Sequence, residues 1–221
     1  MKREALKTLL EKHGRKYSEI LGIKLETVSD EEIFKWFLAA LLFGAPITES
    51  SVIKTYNSFK KHNVLSPEKI LNTGWNGLVQ ILDEGSYTRY DFKTADKLLL
   101  VMANLQKLYG VSLNLLHQQA TDSADLENHL KQLGKGIGDV TTSIFLRDLR
   151  GIWRKADPKP TPLVISTAKN LKIIKTVNPR SALDELKAFW AKNRIAGYTF
   201  VNFETALLRL GKEQRRKKTW Q

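Results

Sequence analysis

The densest chemical signal in the 221-residue chain is a run of spaced glycines, Gly134-Lys135-Gly136-Ile137-Gly138. Ahead of it Leu126, Leu130 and Leu133 recur at helical spacing, with Ser123 placed to cap and Asp125 and Glu127 in the first turn. Behind it Val140, Ile144, Phe145 and Leu149 form a second apolar stripe. Glycine accepts positive φ and lets backbone come close to another group. The second helix starts at this turn, so its unsatisfied N–H groups and positive dipole end face outward beside Lys135. A phosphate oxygen is the natural guest, gripped without any reading of base sequence. The same glycines also suit a tight helix–helix turn with no ligand.

Other charged groups cluster just downstream. Arg147, Arg150 and Arg154 lie at i, i+3 and i+7, which predicts one shared helix face serving either phosphates or solvent. Lys155 is a further phosphate candidate. Asp139 reads as a first-turn residue satisfying the dipole, and Asp148 as a solvated position or half of an ion pair. The chain has no cysteine, which excludes disulfides, thiolate nucleophiles and any Cys-ligated zinc or iron–sulfur cluster. Its four histidines, His13, His62, His117 and His129, are scattered without metal-ligand spacing, so no metal site from side chains is expected. The net charge of +13 points to a polyanionic partner, nucleic acid first. The stretch from Lys212 to Lys218 supplies +4 of it and reads as a basic tail over 212–221, leaving +9 on the body.

The elements that must position these groups read as helices. Leu6, Leu9, Leu10, His13, Tyr17 and Ile20 predict an amphipathic helix within residues 1–20. Ser29-Asp30-Glu31-Glu32 opens the next, whose apolar run to Phe43 is interrupted by Lys35 and ends at Gly44-Ala45-Pro46. Further helices are expected near 48–62, 67–72, 75–83, 91–108 and 112–119, and after the hairpin near 163–171, 181–193 and 202–211. Pro158, Pro160 and Pro162 mark a crossover. Strand-like alternation is confined to Leu163–Ser166, so the fold class is all-α. No run reaches the ~20 apolar residues of a membrane helix and no secretory signal opens the chain, so a cytoplasmic protein without membrane contact is expected, nucleoid-associated in a prokaryote. No strand–glycine loop–helix unit suggests a nucleotide cofactor.

The pattern Leu133-Gly134-Lys135-Gly136-Ile137-Gly138-x-x-Thr141 resembles the helix-hairpin-helix of the endonuclease III-like DNA glycosylase superfamily. Gly85-x-Tyr87-x-Arg89 through Lys93-x-Ala95, and Leu41-Leu42-Phe43-Gly44-Ala45 followed by Thr48 and Glu49, are similar to its other helix-opening segments. The resemblance covers roughly residues 30–175. It implies an essential aspartate about twenty residues after the hairpin; Asp157, nineteen after Gly138, occupies that place. It also implies a central helical barrel over about 31–152 that ends with the hairpin. A second subdomain would combine residues 1–30 with 153–211, and duplex DNA carrying a modified base would bind a monomer across the cleft between them. On this reading Asp157 stabilises the oxocarbenium-like sugar or orients the attacking water. Gly134, Lys135, Gly136, Ile137, Gly138, Arg147, Arg150 and Lys155 hold DNA, and Trp36, Phe43, Tyr87, Tyr90 and Trp153 are candidates for the base pocket. Bifunctional members carry a Schiff-base lysine two positions after Gly138; Val140 stands there, which implies hydrolysis without β-elimination. No cofactor follows, beyond room for a monovalent cation at the hairpin backbone. Two alternatives stay open: a binding module without chemistry, and a glycosylase/lyase using a displaced lysine such as Lys155 or Lys135.

Overall fold

The computed structural model describes residues 1–219. It is all-α: twelve α-helices and one 3-10 turn, with no strand among the described residues. The chain forms two compact units, Leu21–Asp157 and a smaller one made of Met1–Ile20 with Pro158–Gln221.

In the larger unit, α3 (Asp30–Phe43) is the central post. Nine of its residues between Ile33 and Leu42 are buried, as expected of a helix apolar on every face. Ser29 caps it, Oγ accepting from Glu32 N at 3.2 Å. Lys35 fits the apolar run because Glu31 and Glu32, one turn earlier, accept from its ammonium at 2.5 and 2.7 Å. Around this post stand α4 (Glu49–Lys61), α5 (Pro67–Glu84), α6 (Asp91–Tyr109), α7 (Leu113–Gln119), α8 (Ser123–Gln132) and α9 (Asp139–Asp148). Within α5 the two helices expected over 67–83 meet at Gly74, whose φ +66° and ψ 176° are non-helical and break the run between them. Residues 21–30, assigned from sequence to the other subdomain, belong here: Leu21, Ile23 and Leu25 are buried in this unit. The unit also reaches Asp157 rather than ending at 152.

In the smaller unit, α1 (Arg3–His13) and α2 (Tyr17–Ile20) join α10 (Pro162–Asn170), α11 (Pro179–Lys192) and α12 (Phe200–Thr219). Phe203 of α12 stacks on Phe189 and Trp190 of α11, with centroids 5.6 and 5.5 Å away. Asn202 Nδ2 donates to Gly14 O at 2.9 Å, closing the turn between α1 and α2. The stretch Leu163–Ser166 is helical, capped by Thr161, so its alternation was incidental. Residues 212–219 continue α12 instead of forming a separate tail. Glu213 explains the continuation: it pairs with Lys217, Lys12 and His13 at 3.0, 3.4 and 3.3 Å, while Lys212 lies over the Tyr17 ring. Trp220 and Gln221 lie outside the described residues.

Candidate nucleic-acid interface

The hairpin lies entirely in the larger unit. Asp122, not Ser123, caps α8: its Oδ1 accepts from Ala124 N and Asp125 N at 2.8 and 2.9 Å. After Leu133 the chain turns, with Gly134 so close to α6 that an added Cβ would stand 2.9 Å from the Val101 side chain. Gly136 takes φ +98°, a conformation that excludes most side chains. Ile137 tucks into the core at 5% exposure, anchoring a turn whose Lys135, Gly136 and Gly138 are exposed. Gly138 opens α9 and supplies no capping side chain. Of the first-turn residues, whose N–H groups lie beyond the reach of the helix's own carbonyls, Asp139 and Val140 are open to solvent and Thr141 is buried. Asp139 pairs with Lys131 at 2.6 Å, and Val140 is 60% exposed. The turn is thus built from backbone, with Lys135 as the side-chain charge beside it. Leu133 O accepts from Asn104 Nδ2 at 2.9 Å and Gly134 O from Ile137 N at 3.2 Å, and each carbonyl keeps a second lone pair.

The far end of α9 differs. The helix stops at Asp148, and Gly151 at φ +83° turns the chain. The helix face predicted for Arg147, Arg150 and Arg154 therefore does not exist. Arg147 is 4% exposed and its Nε donates to Asp148 Oδ1 at 3.1 Å, so both are core groups and Asp148 is the ion-pair partner rather than a solvated acid. Arg150 Nη1 donates to Asp157 Oδ1, with the arginine side chain 8% and the aspartate side chain 25% exposed. Only Arg154 is open to solvent. Lys155 is occupied as well: its Nζ donates to His117 O and Gln118 O at 2.9 and 3.2 Å, closing the C-terminal end of α7. Asp157 itself sits in a short turn, its N–H donating to Lys155 O.

Most of the aromatic candidates are structural. Trp36 is fully buried and donates Nε1–H to Phe145 O at 2.9 Å, tying α3 to α9. Tyr87 is fully buried, its hydroxyl donating to Leu42 O at 2.6 Å. Trp153 is 2% exposed, lies flat on His117 with centroids 4.6 Å apart, and donates to Asn114 Oδ1 at 3.0 Å. Their rings have no face to offer a base. Phe43, half-buried at the end of α3, and Tyr90 keep part of theirs. Sequence reasoning passed over His117, whose imidazole burial holds below its ordinary value, with Lys155 adding to the effect. It also passed over Lys97 on α6. That ammonium donates to Leu41 O at 2.9 Å, and burial pushes its pKa down to about 8. The signal for Lys97 was weak, a lysine one turn after Lys93 on a helix read only as a span over 91–108.

No protein-family profile matches the sequence, and no curated protein does. Among solved structures, the 3-methyladenine DNA glycosylase of H. pylori, determined bound to 1,N6-ethenoadenine, matches with a TM-score of 0.57 at 16% identity. The match covers 98% of this chain and 97% of that one. The chain shares the all-α fold of that structure. Within that fold the likeness spans both compact units, including the segments after Asp157 that the sequence resemblance covered only in part.

Proposed function

We propose that the protein is a base-excision glycosylase that hydrolyses the N-glycosidic bond of a damaged base flipped from duplex DNA, acting as a monomer with Asp157 at the reacting sugar. The observation that carries this reading is Asp157 itself. In a chain with a glycosylase fold, a partly exposed carboxylate follows the second hairpin helix at the expected spacing and is held by a nearly buried arginine. Breaking the bond leaves positive charge on the sugar, and a carboxylate facing the anomeric carbon stabilises it and orients the attacking water. Arg150 is the positioning residue: its guanidinium fixes one carboxylate oxygen. The hairpin amides and Lys135 hold a backbone phosphate and so fix the strand relative to Asp157. A monovalent cation on the hairpin carbonyls, Leu133 O and Gly134 O among them, would add a positive charge beside that phosphate.

Hydrolysis without lyase chemistry is supported by two side chains. Val140 occupies the exposed position that resembles the Schiff-base site, and the Lys155 amine is engaged by two carbonyls. Adducts of adenine are the first substrates to try, since the structural neighbour is named for 3-methyladenine and was solved with ethenoadenine. The test is a panel of duplexes, each carrying one modified base, cut with wild type and with Asp157→Asn and read before and after alkali. Alkali-dependent cleavage lost in Asp157→Asn supports the reading. Cleavage without alkali, or a borohydride-trapped adduct, would replace it with a glycosylase/lyase. Binding without cleavage across the panel would leave a DNA-binding module.

A further inference from the structure

Between α6 and the hairpin lies an open cavity of about 580 Å³, and three of its lining residues are lysines: Lys93, Lys97 and Lys135. Its one acidic lining residue, Asp96, is turned to a different task, since its Oδ1 accepts from Trp75 Nε1 at 2.9 Å. That bond ties Trp75, 38% exposed, to a residue of the cavity lining. Phe92, 56% exposed and next in sequence to Lys93, lies against it with centroids 5.1 Å apart. Two large aromatic side chains thus stand exposed together, in a protein that buries Trp36, Trp153 and Trp190. Their neighbour is a cavity where Lys97 keeps its ammonium at an energetic cost that a nearby anion would offset. Exposed rings beside a lysine-lined groove are the two elements with which proteins hold unpaired strands: the rings stack bases and the cations track the backbone.

We infer that this α5–α6 face binds a single DNA strand, an unpaired base stacking on Trp75 and Phe92 while the adjoining phosphate enters the cavity beside Lys93, Lys97 and Lys135. The site is distinct from Asp157 and goes beyond the excision reading, sharing with it only the hairpin edge at Lys135 and Gly136. It gives the protein a hold on strand that has left the helix, at a frayed end or beside an opened pair. Stacking does not select among bases, so the hold is sequence-independent.

The test is fluorescence anisotropy of a short labelled oligothymidylate, with a duplex of equal length as comparison. Phe92 and Lys93 are exposed, so Phe92→Ala and Lys93→Ala should keep the helical circular dichroism of the wild type. Phe92→Ala should weaken oligothymidylate binding about tenfold and duplex binding far less, because one base stack is worth roughly that much. Lys93→Ala should lower the log–log salt slope on the oligomer by about 0.7, the loss of one single-strand phosphate contact. Asp157→Asn should bind the oligomer as wild type does, which separates this surface from the excision site: a protein that cuts no damaged base can still pass, and one that cuts can still fail. Equal affinity for the oligomer in wild type and Phe92→Ala would overturn the inference. So would a loss shared equally by duplex and oligomer, or displacement of the oligomer by inorganic polyphosphate with no dependence on Phe92, which would reduce the face to a general cation patch.

Discussion

At its N-terminal end α9 meets solvent with backbone; at its C-terminal end it meets the core with side chains. The first end consists of exposed Gly136 and Gly138, the anchor Ile137 and a helix opening with no capping side chain. The second consists of the buried Arg147–Asp148 pair, Arg150 on Asp157, and Trp153 packed between Phe145 and His117. Nineteen residues, Gly138 to Asp157, therefore join a surface that offers N–H groups to any phosphate and a tightly supported carboxylate that asks for one geometry. The difference is what a sequence-independent grip and a position-dependent reaction each need. Trp36, donating to Phe145 O from α3, holds the helix between them.

The comparison sharpens into substitutions of graded effect. Asp157→Asn should lower excision about 10²- to 10⁴-fold while duplex affinity holds, the loss expected of a carboxylate that acts on the reacting centre; steady-state cleavage beside anisotropy measures both. Asp148→Ala strips the partner from a buried arginine and should cost about 3–5 kcal/mol in urea unfolding, an effect that a surface pair would not have. Lys97→Met removes a buried charge. Because burial lowers the folded pKa to about 8, the unfolded state holds more protons between there and the ordinary lysine value. Wild-type stability should therefore rise with pH across that window, and Lys97→Met should be the more stable protein at pH 7, by roughly 1–3 kcal/mol, with the gap closing towards pH 10. Melting at three pH values reads this directly. Gly136→Ala, forced to φ +98°, should cost about 1–2 kcal/mol and weaken duplex binding without changing the ratio of excision to binding. Val140→Ala, at 60% exposure, should change stability by no more than about 0.5 kcal/mol and leave the products unchanged.

Much of the frame was legible in the chain. Ser29, Thr48 and Thr161 cap helices near the starts that the periodicity marks, because capping is a contact within four residues. The glycine spacing marked the hairpin for the same local reason. The functional residues beyond it were harder to read. Arg147, Arg150 and Arg154 share a face only if the helix continues, and Gly151 ends that geometry. Trp36, Tyr87 and Trp153 are aromatic residues at suggestive places whose rings are consumed by packing, while Trp75 and Phe92, which carry no motif, are left exposed.

The sequence by itself determined the helical class, the hairpin with its open amides and the spacing from Gly138 to Asp157, all set by propensity, capping and glycine conformation over short stretches. Only the tertiary structure decided which charges are spent inside the protein and which meet solvent. It paired Arg147 with Asp148, set Arg150 on Asp157 and fixed Lys155 to the end of α7. It also drew Lys97 beneath the hairpin. Burial and pairing are properties of neighbours brought together across the fold, and a charge seen in sequence has no address until those neighbours arrive.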